Sequence, residues 1–218
     1  MTRRFDLIVF DWDGTIMDST GLIAECIQLA ARDQGLPEPS SEAAKSIIGL
    51  GVHESTRRLF PELDHAAQNA FALAFRGHYV PRDHEAPLYG GIRELLGELD
   101  HTERFLAVAT GKSRAGLERA FAHTQLKSAF HFSRCADEGF AKPHPDMLLK
   151  LMDFTAVPPE RTLMIGDTVH DLDLAHNANV SALAVTYGAH PPATLATRPS
   201  IATFDTVSEL GSWLKQNG

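Results

Sequence analysis

The stretch FDLIVFDWDGT, residues 5–15, joins an apolar run to a pair of acidic residues. Only Asp6 interrupts the run, and a nearly continuous apolar segment is typical of a parallel β-strand covered on both faces. Ligands of open parallel sheets bind beyond the carboxyl ends of the strands. Asp11 and Asp13 are therefore predicted to lie at a functional site, and Gly14 permits the sharp turn that brings them together. The alternative is a solvated β-turn, in which Asp-Gly pairs are common.

Four more apolar runs have strand composition, and helical patterns separate the later ones. The strand-like runs are residues 104–109, 130–135, 163–165 and 182–186. The helical patterns, with apolar residues at three- and four-residue steps, are residues 92–99, 114–121, 145–154 and 171–178. Alternating strands and helices predict an α/β fold with a doubly wound, Rossmann-like parallel sheet.

The alternation is broken once, by a helical insertion of about 65 residues directly after the first strand. Ser19 or Asp18 is a plausible helix N-cap, and Ser40 or Ser41 is another. Two further helices are predicted on either side of Pro61. We therefore predict an inserted all-helical cap domain at residues 17–82, called the cap segment below, in an α/β core made of residues 1–16 and 83–218.

The length and composition of the chain agree with one α/β core domain and a smaller inserted domain. The chain has 218 residues, 44% of them hydrophobic and 22% charged, which is ordinary for a globular protein. The net charge of −8 argues against a nucleic-acid partner. No stretch reaches the roughly 18 apolar residues that a membrane helix needs. We expect no membrane association, a cytoplasmic location and a monomer or weak dimer.

A second acidic cluster, GDTVHD at residues 166–171, follows the fourth strand-like run. Neighbouring strands can bring its Asp167 and Asp171 close to Asp11 and Asp13. Carboxylates that close are costly unless a pKa rises or a cation binds. Oxygen-rich sites of this kind suit Mg²⁺. The alternative is a helix-capping carboxylate on a surface helix.

Two other segments carry groups that suit an anion. Thr110 and Gly111 end the second strand and offer a hydroxyl and backbone N–H groups at the start of a helix. Lys142 lies in AKPHP, residues 141–145, where two prolines stiffen the loop and direct the side chain. A lysine directed at the carboxylates can bind phosphate. Taken alone, a lysine in such a loop is more often a solvated surface residue.

The order Asp-x-Asp-Gly-Thr, Thr-Gly, Lys-Pro-x-Pro and Gly-Asp-x-x-x-Asp resembles the haloacid dehalogenase-like hydrolase superfamily. The resemblance covers essentially the whole chain, including a helical cap after the first motif, and is greatest to the phosphoglycolate phosphatase-type branch. It implies a Mg²⁺-dependent phosphatase. Asp11 would be the nucleophile that forms an aspartyl-phosphate. Asp13 would be the general acid and base, and its backbone carbonyl would bind the metal.

The resemblance also implies roles for the remaining motif residues. Thr110 and the Gly111 N–H would hold phosphoryl oxygens, and Lys142 would stabilise the nucleophile and the transferring phosphoryl group. Asp167 would bind Mg²⁺ directly. Asp171 would bind it through water or orient Lys142.

Other functions remain open. Asp13 argues against a true dehalogenase and against a phosphonate-cleaving relative. A β-phosphoglucomutase-type phosphomutase usually has Glu-Asp in place of Gly166-Asp167. An inorganic pyrophosphatase, a nucleotidase and a non-catalytic binding protein are further alternatives.

The substrate is expected to be a small phosphorylated metabolite, either phosphoglycolate-like or a sugar phosphate. Gly49, Leu50 and Gly51 form a turn of the cap segment that is predicted to face the site, and His53 follows it. His170 and His176 are interpreted as surface histidines. This is because a helix beginning at Asp171 does not direct both toward the acidic cluster.

Overall fold

The computed structural model of the protein describes residues 4–99 and 104–217. Residues 1–3, 100–103 and 218, which the predicted core ranges include, lie outside the described residues. A parallel sheet of six strands has the order β3-β2-β1-β4-β5-β6. Its strands are β1 (Leu7–Phe10), β2 (Phe105–Thr110), β3 (Phe132–Cys135), β4 (Thr162–Gly166), β5 (Ser181–Val185) and β6 (Ala202–Phe204). The predicted doubly wound α/β fold is confirmed, and the five predicted strands all occur.

Ten α-helices lie in the described residues. They are α1 (Thr20–Asp33), α2 (Ser41–Lys45), α3 (Val52–Leu59), α4 (His65–Tyr79), α5 (Ile92–Glu98), α6 (Arg114–Thr124), α7 (Asp146–Thr155), α8 (Val169–Asn177), α9 (Pro192–Leu195) and α10 (Val207–Asn217). Short 3₁₀ turns lie at Asp83–Glu85, Lys127–Ala129 and Pro159–Arg161. The sequence interpretation identified α1 to α8 but not β6, α9 or α10.

The strand β1 is the centre of the sheet and shows why its sequence is continuously apolar. Ile8 and Phe10 pack into the hydrophobic cluster on one face, and Leu7 and Val9 pack into the cluster on the other. All four side chains are fully buried. Helices cover both faces, as a parallel sheet requires. Because β1 pairs with both β2 and β4, the ends of these three strands lie side by side.

In the chain, helices α1 to α4 follow β1 and precede β2. Ser40 accepts a hydrogen bond from the Ala43 N–H, and Asp64 accepts one from the Ala67 N–H, so both residues cap their helices. The apolar side chains of these helices form a third hydrophobic cluster. The division into a core and a cap segment at residues 17–82 stays a prediction.

A membrane-spanning helix would have to be both long and apolar. Among the described residues, no helix meets this requirement.

Candidate active site

The end of β1 places Asp11 in the interior of the protein. Its backbone N–H donates to the Ile165 carbonyl at 2.9 Å, so the residue continues the sheet. The side chain of Trp12 packs on the opposite side, against the edge of the Phe121 ring. At Gly14, with φ of +87°, the chain then turns, and a Cβ there would lie 2.1 Å from Asp167 Oδ2. Glycine is therefore required at this position both by the backbone and by the neighbouring carboxylate.

The end of β4 supplies the second acidic pair. Asp167 is fully buried and accepts hydrogen bonds from the Thr15 hydroxyl at 2.9 Å and the Ala189 N–H at 2.7 Å. Asp171 forms a capping box with Thr168 at the start of α8. The capping carboxylate that the sequence offered as an alternative is therefore real. The capping role does not exclude a second role for Asp171, because the capping box uses only its Oδ2.

Lys142 joins the two acidic pairs. Its Nζ donates to Asp11 Oδ1 at 2.5 Å and to Asp171 Oδ1 at 2.6 Å, and its side chain is fully buried. The loop that carries it leads into α7, which begins after Pro145. Lys142 is thus not a solvated surface lysine, as the alternative interpretation would have had it.

Three carboxylates come close enough to share one cation. Single oxygens of Asp11, Asp167 and Asp171 all lie within 4.8 Å of one another. Burial, with the charges of the other two acids, raises the pKa of Asp11 well above its usual value despite Lys142. Burial and the charge of Asp171 raise the pKa of Asp167 to about 7. For Lys142, burial acts to lower the pKa, but Asp11 and Asp171 outweigh it and the pKa is raised.

This cluster fits a divalent cation. One ammonium group faces three carboxylates, so two negative charges are uncompensated when all three are ionised. In addition, Asp11 Oδ2 is buried and has no hydrogen-bond partner among the described residues. Hard cations prefer such oxygen donors.

The Asp13 carboxylate lies outside the three-acid group. Its Oδ1 accepts from the Ser19 hydroxyl at 2.6 Å and contacts Lys112 Nζ at 2.9 Å. Ser19, which the sequence indicated as an N-cap, occupies that position but makes no capping hydrogen bond and binds Asp13 instead. The expected metal contact of Asp13 through its backbone carbonyl stays a prediction.

Thr110 and Gly111 lie at the end of β2, beside β1. The Thr110 side chain is fully buried, and its hydroxyl accepts from the Lys112 N–H at 3.1 Å. A Cβ on Gly111 would lie 2.6 Å from the Gly49 carbonyl oxygen and 2.8 Å from that of Leu50. The turn of the cap segment therefore touches the predicted anion-binding loop directly.

The structure brings the predicted turn to the site but not the histidine that follows it. Gly49 has a φ of +93° and packs near Thr168, and Leu50 is buried. Gly51 approaches Ala136 and Ala141, next to Lys142. His53 is exposed and stacks on His65, with ring centroids 6.3 Å apart.

Two residues near the acids were not identified from the sequence. Lys112 is buried between Asp13 and the Tyr79 hydroxyl, which it contacts at 2.8 Å. Gly188 lies so close to Asp167 that a Cβ on this glycine would be 2.2 Å from Asp167 Oδ2. The sequence offered one indication that Lys112 belongs to the site, which is its position directly after Thr110-Gly111. No feature of the neighbouring sequence indicated that Gly188 lies there.

The interpretation of His170 as a surface residue is wrong, whereas His176 is exposed as expected. His170 is 3% exposed, and its Nε2 pairs with the Ser46 carbonyl of the cap segment at 3.0 Å. His190 Nε2 meets the same oxygen at 3.1 Å. Burial lowers the pKa of His170 to about 4, so it is a neutral donor. Helix α8 begins at Val169 rather than Asp171, and its first turn is covered by the cap segment.

Known proteins resemble this chain in sequence and in fold. A Dickeya dadantii (strain 3937) protein named probable phosphatase IndB is 32% identical over 212 residues, which are 94% of this chain and 91% of that protein. A phosphoglycolate phosphatase of Aliivibrio fischeri (strain ATCC 700601 / ES114) is 29% identical over 198 residues, covering 86% and 87%. The structure described as a predicted phosphoglycolate phosphatase from Haemophilus somnus 129pt has a TM-score of 0.85 and 25% identity, covering 96% and 98%.

The sheet order, the helices inserted after β1 and the buried acid–lysine cluster define a doubly wound α/β protein with a charged site at the carboxyl edge of its parallel sheet. The sequence profile of haloacid dehalogenase-like hydrolases matches residues 8–185, and the chain belongs to that family. Within the family it is a phosphatase of the phosphoglycolate phosphatase-type branch. The resemblance indicated by the four motifs is thereby confirmed.

Proposed function

We propose that the protein is a Mg²⁺-dependent phosphatase that hydrolyses a small phosphate monoester through an aspartyl-phosphate on Asp11. One observation carries the proposal. Lys142 Nζ lies 2.5 Å from Asp11 Oδ1, while Asp11 Oδ2 is buried and no described residue forms a hydrogen bond with it. One oxygen is thus held in place, and the other is available as a nucleophile.

In the first step, Asp11 Oδ2 attacks phosphorus and the bond from phosphorus to the ester oxygen breaks. Asp13 gives its proton to the departing oxygen, which leaves as an alcohol. Ser19 holds Asp13 through Oδ1. The other oxygen, Oδ2, is therefore the one that can face the leaving group.

The phosphoryl oxygens carry the charge that must be stabilised in this step. The Thr110 hydroxyl, the Gly111 N–H and Lys142 bind them. All three groups lie at the carboxyl edge of the sheet, and the Thr110 and Lys142 side chains are buried. Buried donors that are already oriented stabilise a transition state more than solvated ones do.

When bound, Mg²⁺ would supply positive charge that offsets the excess negative charge of the acids and of the phosphoryl group. Asp11, Asp167 and the Asp13 backbone carbonyl would hold it. Asp171 would contact it through water, and it orients Lys142 through their 2.6 Å contact.

The second step frees the enzyme. Asp13, now ionised, takes a proton from a water molecule as that water attacks phosphorus. The bond from phosphorus to Asp11 Oδ2 breaks, and inorganic phosphate leaves with the carboxylate restored. Contact of the cap turn with Gly111 supports the exclusion of bulk water from this reaction.

The substrate proposed is a small phosphorylated metabolite. The Gly49 carbonyl oxygen lies so close to Gly111 that a Cβ there would be 2.6 Å from it, which leaves little room beside the predicted anion-binding loop, and similar proteins are named phosphoglycolate phosphatases. A phosphoglycolate-like ester or a sugar phosphate fits this setting better than a polymer. The monomer or weak dimer and the cytoplasmic location stay predictions.

Hydrolysis of an aryl phosphate tests the proposal. We expect activity that needs Mg²⁺, disappears in Asp11→Asn and leaves a phosphorylated Asp11 that acid quenching traps in the wild type. Exposed Asp153 provides the matched control, because Asp153→Asn should keep full activity. Full activity of Asp11→Asn, or equal activity without divalent metal, would refute the mechanism.

A further inference from the structure

Lys112 is a buried cation that the mechanism above does not use. Its Nζ lies 2.9 Å from Asp13 Oδ1 and 2.8 Å from the Tyr79 hydroxyl oxygen. The Nζ also lies 4.9 Å from the centroid of the Tyr79 ring, within the range of a cation–π contact. Its side chain is 8% exposed. Burying an ammonium group is costly, so its position beside Asp13 calls for an explanation.

The ammonium group has a donor to spare. It carries three N–H bonds, and among the described residues two are used, one by Asp13 and one by Tyr79. Tyr79 accepts from Lys112, so the hydrogen of its own hydroxyl is free to be donated. Burial and the nearby Asp13 charge raise the pKa of Tyr79 to about 12, which keeps that hydrogen in place.

Lys112 contacts the residue that would protonate the leaving group, and Tyr79 contacts Lys112. In the proposed function, Asp13 Oδ2 reaches the ester oxygen through a hydrogen bond of about 2.7 Å. Lys112 is held at Oδ1 of the same carboxylate. Because both oxygens belong to one carboxylate, an acceptor that the leaving group carries close to its ester oxygen would come within reach of the ammonium group.

We propose that Lys112 and Tyr79 bind the leaving group and select phosphate esters whose leaving group carries an anion close to the ester oxygen. This inference rests on the proposed function. A neutral leaving group would leave the spare donor of the buried cation without a partner. A carboxylate would supply the missing acceptor and receive the Tyr79 hydrogen as well.

The subsite combines the two parts of the chain. Lys112 follows β2, whereas Tyr79 is the last residue of α4 in the cap segment. The Tyr79 ring is fixed by stacking on Phe75, with centroids 5.4 Å apart. Specificity for the leaving group would therefore depend on a cap residue other than those of the Gly49 turn.

The test compares two esters that differ in one charge, 2-phosphoglycolate and its neutral amide, 2-phosphoglycolamide, with Mg²⁺ present. The wild type should have a higher kcat/KM for the carboxylate. Lys112→Met should lower the carboxylate-to-amide ratio of kcat/KM by roughly 10- to 100-fold, the loss expected for a charge-assisted hydrogen bond. Tyr79→Phe should lower the ratio about 3- to 10-fold. Lys127→Met, at an exposed lysine paired with Glu118, is the matched control and should leave the ratio unchanged.

The ratio separates specificity from a purely structural role. If Lys112→Met lowers kcat/KM equally for both esters, Lys112 only positions Asp13 and the inference is wrong. If that variant does not fold, Tyr79→Phe decides by the same ratio. If the wild type hydrolyses neither ester nor an aryl phosphate, the proposed function itself fails. If it hydrolyses aryl phosphates and both esters with no preference, only the leaving-group inference fails.

Discussion

Mg²⁺ is expected to stabilise the folded protein much more at pH 8 than at pH 5, because Asp167 is buried among like charges. Burial is the main cause of its raised pKa, and the charge of Asp171 adds to it. The Ala189 N–H, the Thr15 hydroxyl and Lys142 oppose the rise only in part. Removing the metal therefore leaves a carboxylate whose ionisation disfavours the folded state.

The magnitude follows from the pKa of Asp167, which rises from 3.8 to about 7 in the metal-free fold. Each pKa unit corresponds to about 1.4 kcal/mol, so the full effect is about 4 kcal/mol. The folded state holds this proton more tightly than the unfolded chain does. The free energy of unfolding therefore falls as the pH rises from about 4 to about 7, and the loss is complete above that window.

Thermal unfolding, followed by circular dichroism with EDTA or with Mg²⁺, measures this effect. Bound Mg²⁺ favours the ionised carboxylate and removes the penalty. For a chain of this size, 1 kcal/mol shifts Tm by about 2–4 °C. Part of the penalty is already present at pH 5, and the part that develops between pH 5 and pH 7 is about 2 pKa units, or about 3 kcal/mol. The increase in Tm caused by Mg²⁺ should therefore be roughly 5–10 °C larger at pH 8 than at pH 5.

Asp167→Asn provides the decisive variant, because it keeps the shape of the side chain and removes the titration. Its metal-free stability should lose the part of the pH dependence that Asp167 contributes, and Mg²⁺ should raise its Tm much less than that of the wild type. Asp153→Asn, at an exposed position of α7, should behave as the wild type does. An equal Mg²⁺ effect at both pH values in the wild type, or an unchanged pH dependence in Asp167→Asn, would refute the reasoning.

Three further substitutions test the geometry of the site. Lys142→Met removes the ammonium group held by Asp11 and should lower kcat for an aryl phosphate roughly 10²- to 10³-fold; a loss below tenfold would contradict the proposed role. Gly188→Ala places a Cβ 2.2 Å from Asp167 Oδ2, so it should weaken Mg²⁺ binding measured by calorimetry and cost about 1–3 kcal/mol in denaturant unfolding; unchanged Mg²⁺ affinity would count against Asp167 as a ligand. Gly111→Ala places a Cβ 2.6 Å from the Gly49 carbonyl oxygen and should raise KM at least fivefold by displacing the cap turn; an unchanged KM would show that this contact is not needed for substrate binding.

Strands and helices could be predicted where the pattern of apolar residues along the segment itself indicates them. The run that forms β1 is apolar at every position because both of its faces are buried, and burial of both faces leaves this mark in the sequence itself. The edge strand β6, by contrast, has three residues of which none is fully buried. It carries no apolar run that could have indicated a strand. Helix α10 did have a signal, since Val207, Leu210 and Leu214 are buried at helical spacing.

The sequence by itself determined which residue types end the strands and therefore which chemistry the protein can perform. The acids follow β1 and β4, and the carboxyl ends of parallel strands lie at one edge of the sheet wherever those strands are placed. The motif order was also enough to identify the family.

Only the tertiary structure decided which of these groups meet and which other residues join them. Lys142 and Asp11 are 131 positions apart, and their contact depends on β1 lying between β2 and β4. His170 was interpreted as a surface residue and Lys112 was given no role, because no local pattern records that segments from another part of the chain bury them. Periodicity is a property of neighbouring residues, whereas a buried charge is stabilised by partners that the fold brings from distant positions.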